Sequence, residues 1–150
     1  MTVHQKGKLK IFLGYAAGVG KTYTMLKEAH DLLERKIDVV IGYVEPHMRP
    51  ETTALMEGLE QVPNLKVMYK GKSFNELDLN GIMKRNPKCV LVDELAHTNT
   101  LGLRHEKRYG DIEELLNHGI DVYSTLNIQH IESLHDIVEK ISGIAVRERI

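Results

Sequence analysis

Residues 10–26 read KIFLGYAAGVGKTYTML. An apolar strand candidate, Leu9 to Leu13, feeds a glycine-rich turn and then a helix beginning near Lys21 and Thr22, and this strand-turn-helix order decides the fold class. A glycine-rich turn aims successive backbone N–H groups at phosphate oxygens, and the N-terminus of the following helix adds positive dipole. On that reading Gly14, Ala17, Gly18, Val19, Gly20 and Tyr23 surround the phosphates, Lys21 reaches the β- and γ-phosphates, and Thr22 coordinates Mg²⁺. ATP with Mg²⁺ is the expected ligand. The Walker A spacing G-x-x-x-x-G-K-[ST] asks for glycine at position 15, where Tyr15 stands with Gly14 displaced by one, while Gly18-Val19-Gly20-Lys21-Thr22 is intact. The plain alternative is a strand-to-helix turn with incidental glycines. A dinucleotide fingerprint fails, because Gly18-x-Gly20 needs glycine at position 23 and meets Tyr23.

Outward from this stretch, short apolar runs alternate with amphipathic segments, the pattern of parallel strands joined by crossover helices. The strand candidates are Leu9 to Leu13, Val39 to Val44, Leu65 to Tyr69, Cys89 to Val92 and Asp121 to Leu126. Helical stripes follow from Met25, Leu26, Ala29, Leu32 and Leu33; from Ile112, Leu115 and Leu116; and from Ile131, Leu134, Ile137, Val138 and Ile141. Two weaker helices are expected over Glu51 to Gln61 and Asn75 to Lys84, the latter stopped by Asn86-Pro87. The sum is an α/β, three-layer fold with an open, mostly parallel sheet and helices on both faces.

The chain has 150 residues, 42% hydrophobic and 27% charged, which fits one globular domain over 1–150 with its core at about 7–148. With 20 Lys plus Arg against 21 Asp plus Glu, the net charge of -1 argues against a broad nucleic-acid surface. No apolar run approaches the ~20 residues of a membrane span, and the basic N-terminus lacks a signal-peptide cleavage site, so no direct membrane insertion is expected. The single Cys89 excludes a disulfide framework and fits a cytoplasmic setting.

Three further segments carry chemistry. Cys89 to Glu94 ends an apolar strand on two carboxylates, and behind a phosphate-binding turn Asp93 is expected to position Mg²⁺, directly or through water, and Glu94 to orient or deprotonate an attacking water. Glu45, after the second strand, is the alternative base. Arg104, His105, Lys107 and Arg108 crowd the start of a helix, the end where the dipole favours acids. They read either as a solvated charged loop or as contacts to an anion, with Arg104 or Arg108 reaching the nucleotide of this chain or of a neighbouring subunit in a homodimer. Asn127 and Gln129 follow the last strand candidate and could sense the γ-phosphate; Asn127 serves equally as a helix N-cap. The 8 histidines show no metal-ligand spacing, which argues against a zinc site.

The stretches GKLKIFLGYAAGVGKTYTML, IGYVEPHMRPET, VLVDELAHTN, RHEKRYGDIEELL and GIDVYSTLNIQHIESLHDIV together resemble the N-terminal cytoplasmic domain of the KdpD family of potassium-responsive sensor histidine kinases. The resemblance implies a RecA-like P-loop NTPase fold, ATP binding, and a regulatory role in two-component signal transduction controlling potassium uptake. Partners would be other domains of a sensor kinase or a separate signalling protein. It also implies membrane-anchored full-length relatives that carry a histidine kinase core, for which 150 residues leave no room. A slow ATPase, a phosphotransferase acting on a protein hydroxyl, and an interaction domain with a vestigial P-loop are the competing readings. Tyr15, Met48, Leu101 and Glu106 depart from the residues usual in the family.

Overall fold

The computed structural model describes residues 6–14, 19–45, 49–127 and 144–147. In chain order its elements are β1 (Leu9–Gly14), α1 (Val19–Glu34), β2 (Val39–Tyr43), α2 (Pro50–Ala54), β3 (Glu60–Gln61) and β4 (Leu65–Tyr69). They continue as β5 (Lys72–Glu76), α3 (Leu79–Arg85), β6 (Cys89–Val92), α4 (Arg108–Asn117), β7 (Asp121–Asn127) and β8 (Ile144–Arg147). Six strands pair in parallel in the order β3-β2-β6-β7-β1-β8, so the described sheet is open, with β3 and β8 at its edges.

Side chains alternate across a strand, and here both faces are apolar, as a sheet covered on both sides requires. Leu9, Ile11, Val40, Val90, Val92, Val122 and Leu126 pack with Ile82, Ile112, Leu115 and Leu116 of α3 and α4. On the opposite face Phe12, Val39, Ile41, Cys89 and Leu91 pack with Met25, Leu26, Ala29 and Leu32 of α1. The expected α/β layering with helices on both faces is therefore present. Helix α3 starts on Asp78, whose Oδ1 accepts the Gly81 N–H at 3.1 Å, and ends on left-handed Asn86 just before Pro87.

Four expectations need correction. Leu65–Tyr69 is a strand but lies outside the parallel sheet, pairing antiparallel with Lys72–Glu76 in a separate hairpin. Lys70 at φ 49 and Gly71 at φ 78 form the two-residue turn between them, a positive-φ pair that favours hairpins over crossovers. The helix expected from Glu51 shrinks to Pro50–Ala54 and gives way to β3, and the one expected from Asn75 starts only at Leu79 because Asn75 and Glu76 belong to β5. Leu33, placed on the core stripe of α1, is 41% exposed. The helix expected over Ile131 to Ile141 lies outside the described residues.

Gly7 leads into β1 with its N–H donated to Leu116 O at 2.8 Å, and a Cβ built on it would sit 2.0 Å from the Ile120 carbonyl oxygen. Backbone on both sides of the contact leaves no flexible tip to move aside. Gly7→Ala is expected to cost about 2 kcal/mol or more, toward the upper part of the overpacking range, read as a lower urea midpoint at unchanged slope.

Candidate functional site

Lys21 and Thr22 occupy the first turn of α1, and both are buried, Lys21 to 1% exposure. Period-2 alternation puts Asp93, one residue past β6, on the α1 face along with Cys89 and Leu91. The Thr22 hydroxyl meets the Asp93 carboxylate at 3.1 and 3.2 Å from its two oxygens. Two more donors converge on Asp93. Thr125 Oγ1 lies 2.5 Å from Oδ1, and the Glu45 N–H donates to Oδ2 at 3.1 Å. A fully buried carboxylate needs such donors, since an ionised group without them would be severely destabilising.

Glu94 follows in the left-handed region at φ 62, unusual for a residue with a Cβ, and its N–H donates to Thr125 Oγ1 at 3.0 Å. Burial raises the Glu94 carboxyl above its ordinary value, the charges of Asp93 and Glu45 push the same way, and Lys21 and Arg108 oppose them. Burial lowers the Lys21 ammonium below the ordinary lysine value, against the pull of Glu94 and Asp93. Two neighbouring carboxylates thus sit in unlike settings: Asp93 ringed by donors, Glu94 biased toward holding a proton.

Arg108, at the start of α4, is fully buried rather than solvated. Its Nη1 donates to the Asp93 carbonyl at 2.8 Å, its Nη2 to Glu76 Oε1 at 3.2 Å, and its guanidinium stacks 4.1 Å from the Tyr43 ring centroid. A bulge makes that stack reachable. The β2–β6 pairing skips Gly42 between Ile41 and Tyr43, which turns Tyr43 to the face of α3 and α4. Glu76 also accepts from the Thr100 N–H at 2.8 Å, the Thr100 hydroxyl at 2.6 Å, and His97 Nε2 at 3.0 Å. Burial raises the Glu76 carboxyl, but the Thr100 hydrogen bonds and the positive charges of His97 and Arg108 outweigh it, leaving a net lowering.

The structure therefore brings Lys21, Thr22, Glu45, Asp93, Glu94 and Arg108 together. Arg104 is committed elsewhere, to Glu114 and Asn80, while His105 bonds Glu114 and Lys107 bonds Thr98. Gly14 ends β1 in register with Asn127, whose Oδ1 is buried with no partner among the described residues. Val19 and Gly20 open α1, and Tyr23 is 36% exposed beneath Lys27. Ala17, Gly18 and Gln129 lie outside the described residues. Thr125, which no motif singles out, joins the site through its hydroxyl, whereas Asn127 is the polar side chain that ends the strand. Thr125 shares its face, and the alternation from Tyr123 through Thr125 to Asn127 was the available signal.

A parallel α/β domain with a buried Lys-Thr-carboxylate junction at the C-terminal ends of its strands is the class these features define. The family model for the osmosensitive K+ channel His kinase sensor domain, KdpD, matches residues 5–150, and the chain belongs to that family. It is 57% identical over 145 residues to Sensor protein KdpD of Clostridium acetobutylicum, covering 97% of this chain and 16% of that protein. It is 56% identical over 147 residues to Putative sensor protein KdpD of Synechocystis sp., covering 98% of this chain and 40% of that protein. With Sensor protein KdpD of Escherichia coli it shares 50% over 145 residues, covering 97% and 16%. The chain thus spans between 16% and 40% of the length of these relatives. Among the described residues no helix is long and apolar enough to cross a membrane.

Glu76→Gln is expected to lower stability by about 3 kcal/mol at neutral pH, because it leaves the buried Arg108 without its counter-charge. The Glu76 carboxyl is lowered in the fold, so its contribution is complete above the ordinary value of 4.5 and lost as pH falls through the lower folded value. Urea unfolding at neutral and acid pH should show the gap between wild type and variant narrowing in acid.

Proposed function

We propose that this chain is a Mg·ATP-binding regulatory module of a potassium-responsive two-component sensor, with a RecA-like P-loop fold in which nucleotide occupancy biases the output of the kinase. The observation that carries the reading is the junction of Lys21, Thr22 and Asp93: a buried lysine on the first turn of α1 beside a threonine hydroxyl and a strand-end carboxylate. Hydroxyl and carboxylate oxygens are the hard donors Mg²⁺ takes, and a helix start carrying a lysine suits a polyphosphate. The donor set fits ATP with Mg²⁺. Asn127, in register with Gly14, adds at the same strand ends a polar group whose Oδ1 has no partner among the described residues. Thr22 and Asp93 would hold the metal, Lys21 the phosphates, and bound Mg²⁺ would neutralise phosphate charge.

The relatives' names and their greater length support the remaining domains of a sensor kinase as partners, on the cytoplasmic side where ATP is available. A second reading, a slow ATPase or a phosphotransferase to a protein hydroxyl, draws on Glu94. A carboxylate one residue past Asp93, its proton affinity raised by burial, is suited to take a proton from an attacking hydroxyl. Glu45, bonded through its backbone to Asp93, is the alternative base.

Titration calorimetry with Mg·ATP tests the first reading. Wild type should bind, and Lys21→Ala should weaken binding at least about tenfold, the ratio for ~1.5 kcal/mol at a charge-assisted contact. Asp93→Asn should remove most of the Mg²⁺ dependence. Wild type that ignores Mg·ATP would leave an interaction domain with a vestigial turn. For the second reading, Glu94→Gln should keep the affinity and abolish phosphate release, since the amide keeps the shape and cannot take the proton.

A further inference from the structure

Thr125 stands in β7 with its side chain 1% exposed, opposite Phe12 of β1 in register and one strand away from Asp93. A β-branched residue suits this position for packing alone, and valine would satisfy it. Its hydroxyl does something packing does not require. Asp93 offers acceptors to it and the Glu94 N–H is a donor, so the hydrogen bonds run one way: Glu94 N–H to Thr125 Oγ1 at 3.0 Å, then the Thr125 hydroxyl proton to Asp93 Oδ1 at 2.5 Å. The next residue completes the clasp, with Leu95 N–H donating to the Thr125 carbonyl at 2.9 Å. One threonine therefore touches three successive residues of the loop leaving β6.

Glu94 needs such a hold. Its φ of 62 is strained for an L side chain, and the extended alternative would carry the carboxylate elsewhere. Asp93, for its part, has two hydroxyls on one carboxylate, Thr22 from α1 and Thr125 from β7, so its orientation is set between two elements. We propose that Thr125 is a positioning residue that aligns the two carboxylates, orienting Asp93 through its hydroxyl proton and pinning the left-handed backbone of Glu94 through its lone pair. The part concerning Asp93 rests on the Mg·ATP reading above; the part concerning Glu94 stands without any nucleotide.

Two variants separate the hydroxyl from the shape: Thr125→Val removes it at constant volume, and Thr125→Ser keeps it. Hydrogen exchange of the Glu94 amide, measured on nucleotide-free full chain, should accelerate about tenfold in Thr125→Val relative to the β6 amides and stay near wild type in Thr125→Ser, the tenfold corresponding to a hydrogen bond of ~1.4 kcal/mol. Calorimetry with ATP, in Mg²⁺ and in EDTA, should show the Mg²⁺ advantage of wild type cut at least about fivefold in Thr125→Val and kept in Thr125→Ser. A merely structural threonine would lower stability and leave both ratios unmoved. Unchanged ratios in folded Thr125→Val, or a Thr125→Ser as impaired as Thr125→Val, would overturn the proposal. Should Thr125→Val not fold, Thr125→Cys, with its weak donor and similar volume, should fall between wild type and full loss in both ratios, and a wild-type result there would also overturn it. Wild type that binds no Mg·ATP defeats the nucleotide reading, and the exchange measurement then decides for or against Thr125.

Discussion

The buried Asp93 carboxylate is the constraint around which the strand ends are arranged. Its side chain is inaccessible to water, so each donor it requires must come from the protein, and they come from different directions: a hydroxyl on α1, a hydroxyl on β7 and a backbone N–H just past β2. Satisfying one acid therefore fixes the relative placement of a helix start and two strands. Its carbonyl adds α4 to the set through Arg108. Buried polar networks of this kind favour a single arrangement to the extent that they are satisfied, and removing a member strands the others; here Arg108 Nε has no partner among the described residues.

From Arg108 the order passes outward. The guanidinium sits on the Tyr43 ring, spans Asp93 and Glu76, and so ties the end of the hairpin β4–β5 to the strand-end site. Among the described residues the hairpin shares no strand pairing with the parallel sheet, and a lone two-stranded hairpin is marginal by itself. The Glu76 contacts with Arg108, His97 and Thr100 supply the anchoring that pairing does not. Together with Val62 and Leu77, buried in the core on either side of the hairpin, these contacts hold this part of the molecule in place.

How much of this the chain discloses beforehand depends on the range of the interaction. Lys21, Thr22, Asp93 and Glu94, which the structure brings together, stand out in the sequence because glycine spacing and a strand ending in acids are local patterns with a chemical reason. The layers were legible because two-sided apolar strands and helical stripes repeat at fixed periods. Arg108 was read among four basic residues as a surface or anion-contacting group, since nothing in RHEKR distinguishes the one residue that packs inward on Tyr43. The hairpin has a local signal in Lys70-Gly71, while the apolar alternation of Leu65–Tyr69 is the same in a hairpin strand as in a core strand. Alternation places Thr125 on the face of Asn127, but its partner Asp93 lies beyond another strand, and register across a parallel sheet is not written in either strand alone.

The left-handed backbone at Glu94 has a consequence for how the sequence around it can change. Glycine or asparagine would relieve the conformational cost at that position, so selection for thermal robustness alone would favour replacing the glutamate. Libraries sorted only on survival at high temperature are thus biased toward losing the carboxylate, and a stabilised version of the domain is best sought with position 94 held fixed.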